Sequence, residues 1–164
     1  MASVVQLTEL KRLGELRVRR AENAVREQRE LMVQQQARVD KRQHQVDLLN
    51  HQARRVREFL AEPETQSDPV RLNDAYAQRH WIIYDREKEE FYLQQAQQDL
   101  EKAENELTQK TVQLNRALAR QEESVRLLVS AQRAHRERLD IADSPADESR
   151  VGAVANAFSG ALSG

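Results

Sequence analysis

From Val18 to Leu60 one residue in every seven is apolar: Val18, Val25, Met32, Val39, Val46, Ala53 and Leu60. A period of seven marks a coiled-coil seam, the narrow stripe along which one helix is covered by another. Ala21, Leu49 and Val56 take the companion position three residues on, whereas Gln28, Gln35 and Arg42 take it in the middle of the run. The seam is therefore strong at its ends and weak at its centre. A helix of this length has little stability without packing, so something must lie along it. The natural candidate is the second half of the same chain.

Composition agrees with an elongated helical protein. The chain is 32% charged and only 4% aromatic, with four glycines and three prolines, which is far from the usual make-up of a compact globule. Its 39% of hydrophobic residues is enough for an ordered seam but lacks the bulk for a wide core, and one long domain is expected. With no cysteine there is no disulfide framework and no thiolate chemistry. A basic-then-apolar leader and an apolar run of about 18 residues are both missing, which predicts a cytoplasmic protein without membrane insertion. Residues 1–61 carry 13 Lys and Arg against 8 acids, leaving 13 against 19 in the remainder. The two halves should attract when laid side by side.

The pattern predicts an all-α fold, a long two-helix antiparallel coiled-coil hairpin over 1–142 with a flexible C-terminal tail over 143–164. Helix 1 should run over about 3–61, with Leu7, Leu10 and Leu13 extending the pattern and Gly14 as its one interruption. A helical glycine costs about 1 kcal/mol relative to alanine, so Gly14 is either a soft point or a tolerated surface glycine. The stretch 62–68 holds Pro63 and turn formers, and with Pro69 directly after it forms the one clear break. Asp68 before Pro69 reads as an N-cap with proline at the first helical position, opening helix 2 over about 69–141. Its seam is Leu93, Leu100, Leu107 and Leu114 with Ala96, Ala103, Lys110 and Ala117, shifting afterwards towards Leu118, Val125, Leu128 and Ala131. With the turn centred near Thr65, residue i should face about residue 130 − i, which pairs Val39 with the neighbourhood of Phe91. The end of helix 2, about Leu128 to Ile141, should then project alone, and the rod should be on the order of 100 Å long. In the tail, Val151, Val154, Phe158 and Leu162 keep a loose helical spacing, which leaves a frayed end or a short docking helix open.

No phosphate-cradling glycine loop, metal-ligand cluster or nucleophile-with-base arrangement is present, so neither an enzyme activity nor a cofactor is expected. His44 and His51 share a helix face but are better read as two solvated side chains than as a metal pair. The arginines say more. Lys11, Arg12, Arg17, Arg19, Arg20, Arg26 and Arg29 crowd the start of helix 1, and Arg126, Arg133, Arg136 and Arg138 crowd the end of helix 2. A hairpin brings both groups to one end, opposite Glu58, Glu62, Glu64, Asp68 and Asp74. Such a basic end suits an acidic protein cavity, nucleic acid or an anionic surface, or is simply a solvated face balanced by Glu15, Glu22 and Glu137. The interleaved acids make nucleic acid the weakest of these partners. Trp81, Ile82, Ile83 and Tyr84 are four bulky residues in a row, followed by Phe91 and Tyr92. Four successive residues sweep more than a full turn, so some must be exposed, sealing the hairpin or anchoring another protein.

The run Leu10-Lys11-Arg12-Leu13-Gly14-Glu15-Leu16-Arg17-Val18-Arg19-Arg20-Ala21-Glu22, together with Gln78 to Glu89 and its Arg86-Glu87-Lys88-Glu89 end, resembles the central stalk proteins of bacterial type III secretion systems, the YscO and FliJ family. The likeness spans nearly the whole hairpin. It departs at Asp85, where the family often has an apolar residue, and in the Ala/Gly/Ser tail. The resemblance implies a non-catalytic coiled coil shaped like the stalk subunit of rotary ATPases, lying in the cytoplasm at the base of the secretion apparatus. Its termini would stand in the hexameric secretion ATPase and its turn towards the cytoplasmic domain of the export gate. Lys11, Arg12, Arg17, Arg19 and Arg20 would then meet the ATPase, joined by Arg126, Arg133 and Arg136 through geometry rather than motif. Trp81 and Ile82 match the family's gate-contact positions, with Tyr84 and Asp85 beside them. Secretion chaperones are implied as further partners. The rival expectation is a coiled-coil chaperone or tether that grips clients at the hairpin tip.

Overall fold

Helix start signals in the chain are answered by side-chain caps. Ser3 Oγ accepts the Gln6 N–H at 3.2 Å while Gln6 Oε1 accepts the Ser3 N–H at 3.0 Å, a reciprocal capping box that satisfies two otherwise orphaned donors. The computed structural model describes residues 2–160, with side chains described for residues 2–143, and assigns three helices, α1 (Val4–Ala61), α2 (Pro63–Ser67) and α3 (Pro69–Gly160). Among the described residues there is no strand, and the chain is all-α. Of the flexible tail expected over 143–164, the side chains from Ser144 on and the whole of residues 161–164 lie outside the described residues.

Two prolines shape the turn. Glu62 precedes Pro63 with extended backbone, φ −70 and ψ 131, and Asp68 precedes Pro69 with φ −108 and ψ 105, because a following proline ring disfavours the helical region. Between them α2 makes barely more than one turn. Asp68 Oδ1 accepts the Val70 N–H at 3.1 Å and, more weakly, the Arg71 N–H at 3.5 Å, so this carboxylate caps α3. Thr65, 1% exposed, plugs the turn from inside. Its Oγ1 has no hydrogen-bond partner.

The chain divides into two compact units, unit 1 of Met1–Ala21 and Gln113–Gly164, and unit 2 of Glu22–Val112. Unit 2 is an antiparallel hairpin of α1 and α3 joined through α2. Gln28 lies against Ala103 and Arg42 against Glu89, so fourteen residues forward on α1, two heptads, are matched by fourteen back on α3. Val25, Val46 and Val56 are buried on α1, and Ala75, Ala96 and Ala103 on α3. Small alanines let the helices approach, and each buried valine contributes about 1.5 kcal/mol or somewhat more. Met32, Val39, Ala53 and Leu60 on α1, with Leu93, Leu100 and Leu107 on α3, are half-buried along the same stripe.

In unit 1, α1 and α3 again run antiparallel, with Gly14 3.8 Å from Gln121, measured from an idealised Cβ. One heptad before Gly14 and one after Gln121 lie Leu7 and Leu128, each 7% exposed. Three expectations change here. Leu128 is not the start of a lone projecting helix, since the period of seven from Leu114 through Gln121 returns it to the seam; continuous exposure begins only at His135. Leu118, one residue past the seam position Ala117, is turned by about 100° and is 41% exposed. Gly14 is not a surface glycine but a half-buried seam position without a side chain.

Replacing Thr65 by valine keeps its shape and removes a buried hydroxyl that bonds nothing. Thr65→Val is expected to raise stability by about 1 kcal/mol in urea unfolding followed by circular dichroism, whereas a loss of that size would mean the hydroxyl is satisfied in solution.

Candidate functional site

The weak centre of the α1 seam is polar but bonded. Gln28, 3% exposed, donates from Nε2 to the Ala103 carbonyl at 3.0 Å and accepts at Oε1 from Lys110 Nζ at 2.9 Å. Arg42 reaches across to both Glu89 carboxylate oxygens, at 3.2 and 3.0 Å, and its guanidinium lies 4.8 Å from the Tyr92 ring centroid. A planar guanidinium can hold a carboxylate and an aromatic face together, which an ammonium does less well. The partners come from α3 positions 89, 92 and 110, which the seam pattern alone does not pick out as a set.

Unit 1 collects most of the basic residues singled out in the sequence. Lys11, Arg12, Arg17, Arg19 and Arg20 come from α1, and Arg126, Arg133, Arg136 and Arg138 from α3; Arg26 and Arg29 fall in unit 2. All are exposed except Lys11, which is half-buried. Lys11 Nζ lies 4.0 Å from Glu15, and Arg126 lies 3.7 Å from Glu123. Among the described residues no carboxylate lies within 4.0 Å of Arg12, Arg17, Arg19, Arg20, Arg133 or Arg136, and Glu22 and Glu137 form no ion pair. Most of these arginines are thus held in no direct ion pair among the described residues, although acids such as Glu9, Glu122 and Glu137 are interleaved with them in sequence.

In unit 2 the four bulky residues in a row divide by helix geometry. Ile82 and Ile83 turn inward and are half-buried, while Trp81 and Tyr84 are 65% and 56% exposed. The two exposed rings meet edge to face at 6.3 Å, a favourable aromatic arrangement. Asp85 is exposed beside them. Val70, Ala77, Tyr84 and Phe91 recur every seven residues and are all exposed, and Trp81 falls in the same stripe. This second apolar repeat on α3 was missed by a reading that followed only the Leu93 and Leu100 phase, although its period is equally visible in the sequence.

Among the described residues no helix is long and apolar enough to cross a membrane, and no group of three or more His, Asp or Glu is placed to hold a metal ion. Compared with known families, curated proteins and solved structures, the chain matches none.

Gln28 and Lys110 should behave as a unit. Gln28→Leu alone strands a partly buried ammonium and is expected to cost about 1–3 kcal/mol in urea unfolding. Gln28→Leu with Lys110→Leu should regain that loss, and additive losses in the double variant would mean the pair is not coupled.

Proposed function

We propose that this chain is a non-catalytic central stalk of a bacterial type III secretion system, linking the secretion ATPase ring to the export gate and stimulating the ATPase. The observation that carries the reading is the set of exposed arginines, most of them outside any direct ion pair, that two antiparallel helices present together in unit 1. Such a surface is attracted to acidic loops and is oriented by them as it approaches. A two-helix body is asymmetric, so inside a six-fold ring it contacts the subunits unequally and favours one subunit conformation over the others. Lys11, Arg12, Arg17, Arg19, Arg20, Arg126, Arg133 and Arg136 are assigned to that contact.

The exposed Trp81 and Tyr84 are assigned to the cytoplasmic domain of the export gate, with Asp85 at their edge and Ile82 supporting them from the seam side. Large aromatic side chains on an exposed helix face are the residue types that anchor protein interfaces. Secretion chaperones are further proposed partners, and the cytoplasm at the base of the apparatus is the proposed location. The same aromatic stripe favours a second reading, a coiled-coil chaperone or tether gripping client proteins. That reading needs several tips acting together, so it predicts a stable oligomer in sedimentation, which the stalk does not require.

Adding the protein to a purified hexameric secretion ATPase is expected to raise its rate of ATP hydrolysis, and the triple reversal Arg19→Glu, Arg20→Glu, Arg133→Glu is expected to abolish the increase. Undiminished stimulation by the triple variant would remove the ring assignment. Trp81→Ala with Tyr84→Ala should weaken binding to the gate domain by about tenfold or more with helix content unchanged; equal binding would detach the gate from this stripe.

A further inference from the structure

Unit 1 contains a groove of about 440 Å³ whose walls come from both of its helices, Leu10, Gly14 and Arg17 on α1 and Arg116, Ala117 and Arg120 on α3. It opens where the seam runs out of side chains. Gly14 occupies a seam position, and a Cβ built there would meet Gln121 at 3.8 Å, ordinary van der Waals contact. Alanine would therefore fit between the helices and favour helix formation more. Packing α1 on α3 does not require glycine here, and its lack of a side chain leaves the floor of the groove open beside the methyl of Ala117.

The rim carries three arginines and one carboxylate. Among the described residues Arg17, Arg116 and Arg120 have no carboxylate within ion-pair distance. Arg116 and Arg120 stand four residues apart, where like charges weaken a helix. The one carboxylate at the groove, Glu123, lies 3.7 Å from Arg126. Leu10, 47% exposed, adds an apolar wall. An apolar slot with small residues below and guanidinium groups around it is complementary to a helix that presents one apolar side chain flanked by glutamates or aspartates.

We infer that the groove between Gly14 and Ala117 is a docking site for an acidic amphipathic helix of a partner protein, held by Arg17, Arg116 and Arg120. The inference goes beyond the stalk reading: it shares Arg17 with the ATPase contact, but Arg116 and Arg120 are not among the residues assigned there, and it stands whether or not the partner is a secretion protein. The apolar floor supplies the selectivity. A flexible polyanion would meet the arginines but leave the floor empty.

The test uses the full chain and two fluorescein-labelled probes followed by anisotropy. One is a helical peptide of about 18 residues built from Glu, Ala and Leu with one leucine per heptad; the other is a single-stranded DNA of equal charge. The peptide is expected to bind more tightly than the DNA, and Arg116→Glu with Arg120→Glu, both on exposed positions, should weaken it by about tenfold or more. Gly14→Leu, which fills the floor and leaves every charge in place, should weaken the peptide to a similar degree while leaving the residual DNA binding unchanged. Gly14→Ala serves as the folding control, with a raised unfolding midpoint. Peptide binding unaffected by Arg116→Glu with Arg120→Glu would overturn the proposal, as would DNA binding as tight as the peptide. If peptide binding is displaced by self-association of the chain in sedimentation, the groove belongs to a second copy and the proposal also falls. None of these arms uses an ATPase, so loss of the stalk reading and loss of this site are told apart.

Discussion

Two helices that meet along two positions in seven have very little shared surface, so the register between them decides which side chains are dry. Val25, Val46 and Val56 with Ala75, Ala96 and Ala103 supply the buried apolar area of unit 2, but such contacts are almost equivalent after a slip of one heptad. The polar seam residues are not equivalent. A slip of seven residues would take Gln28 from the Ala103 carbonyl and Lys110, and Arg42 from Glu89 and Tyr92, leaving partly buried charges without partners. The polar centre, the weakest part of the seam for burial, therefore discriminates best among registers.

The turn imposes the same register from the other side. Pro63 and Pro69 force extended backbone at Glu62 and Asp68, and the short α2 between them swings Thr65 into the interior. Asp68 then caps α3 through its carboxylate. A turn with a defined number of residues and a plug at its centre sets where α3 begins relative to α1, and the bonded pairs of unit 2 agree with that setting.

What the helices leave outside the seam is distributed unevenly. In unit 2 an exposed aromatic stripe repeats with the seam's own period, on positions two residues out of phase with it, so α3 carries apolar residues on two faces. In unit 1 the outside is rich in exposed arginine, and at Gly14 the seam lacks a side chain. A narrow two-helix packing leaves most of each helix circumference free for such surfaces, which a broad globular core would cover.

Much of this was legible from residue spacing. The period of seven at Val18 to Leu60 and at Leu93 to Leu114, broken once between two prolines, pointed to an all-α antiparallel hairpin, because within one chain a seam on each side of one break is buried by folding the chain back on itself. The aromatic stripe is legible too, in the period of seven at Val70, Ala77, Tyr84 and Phe91, although the four consecutive bulky residues from Trp81 to Tyr84 overlie and mask it. What spacing could not supply was the partner of each residue. The burial of Leu128 and the exposure of Leu118, the seam position of Gly14, the grouping of Arg17 with Arg116 and Arg120, and the pairing of Arg42 with Glu89 and Tyr92 all depend on the offset between two helices. Periodicity states which face of a helix is covered, because that follows from 3.6 residues per turn along one chain segment. The offset is decided only when both faces are brought together, by side chains far apart in sequence whose charges and volumes must match.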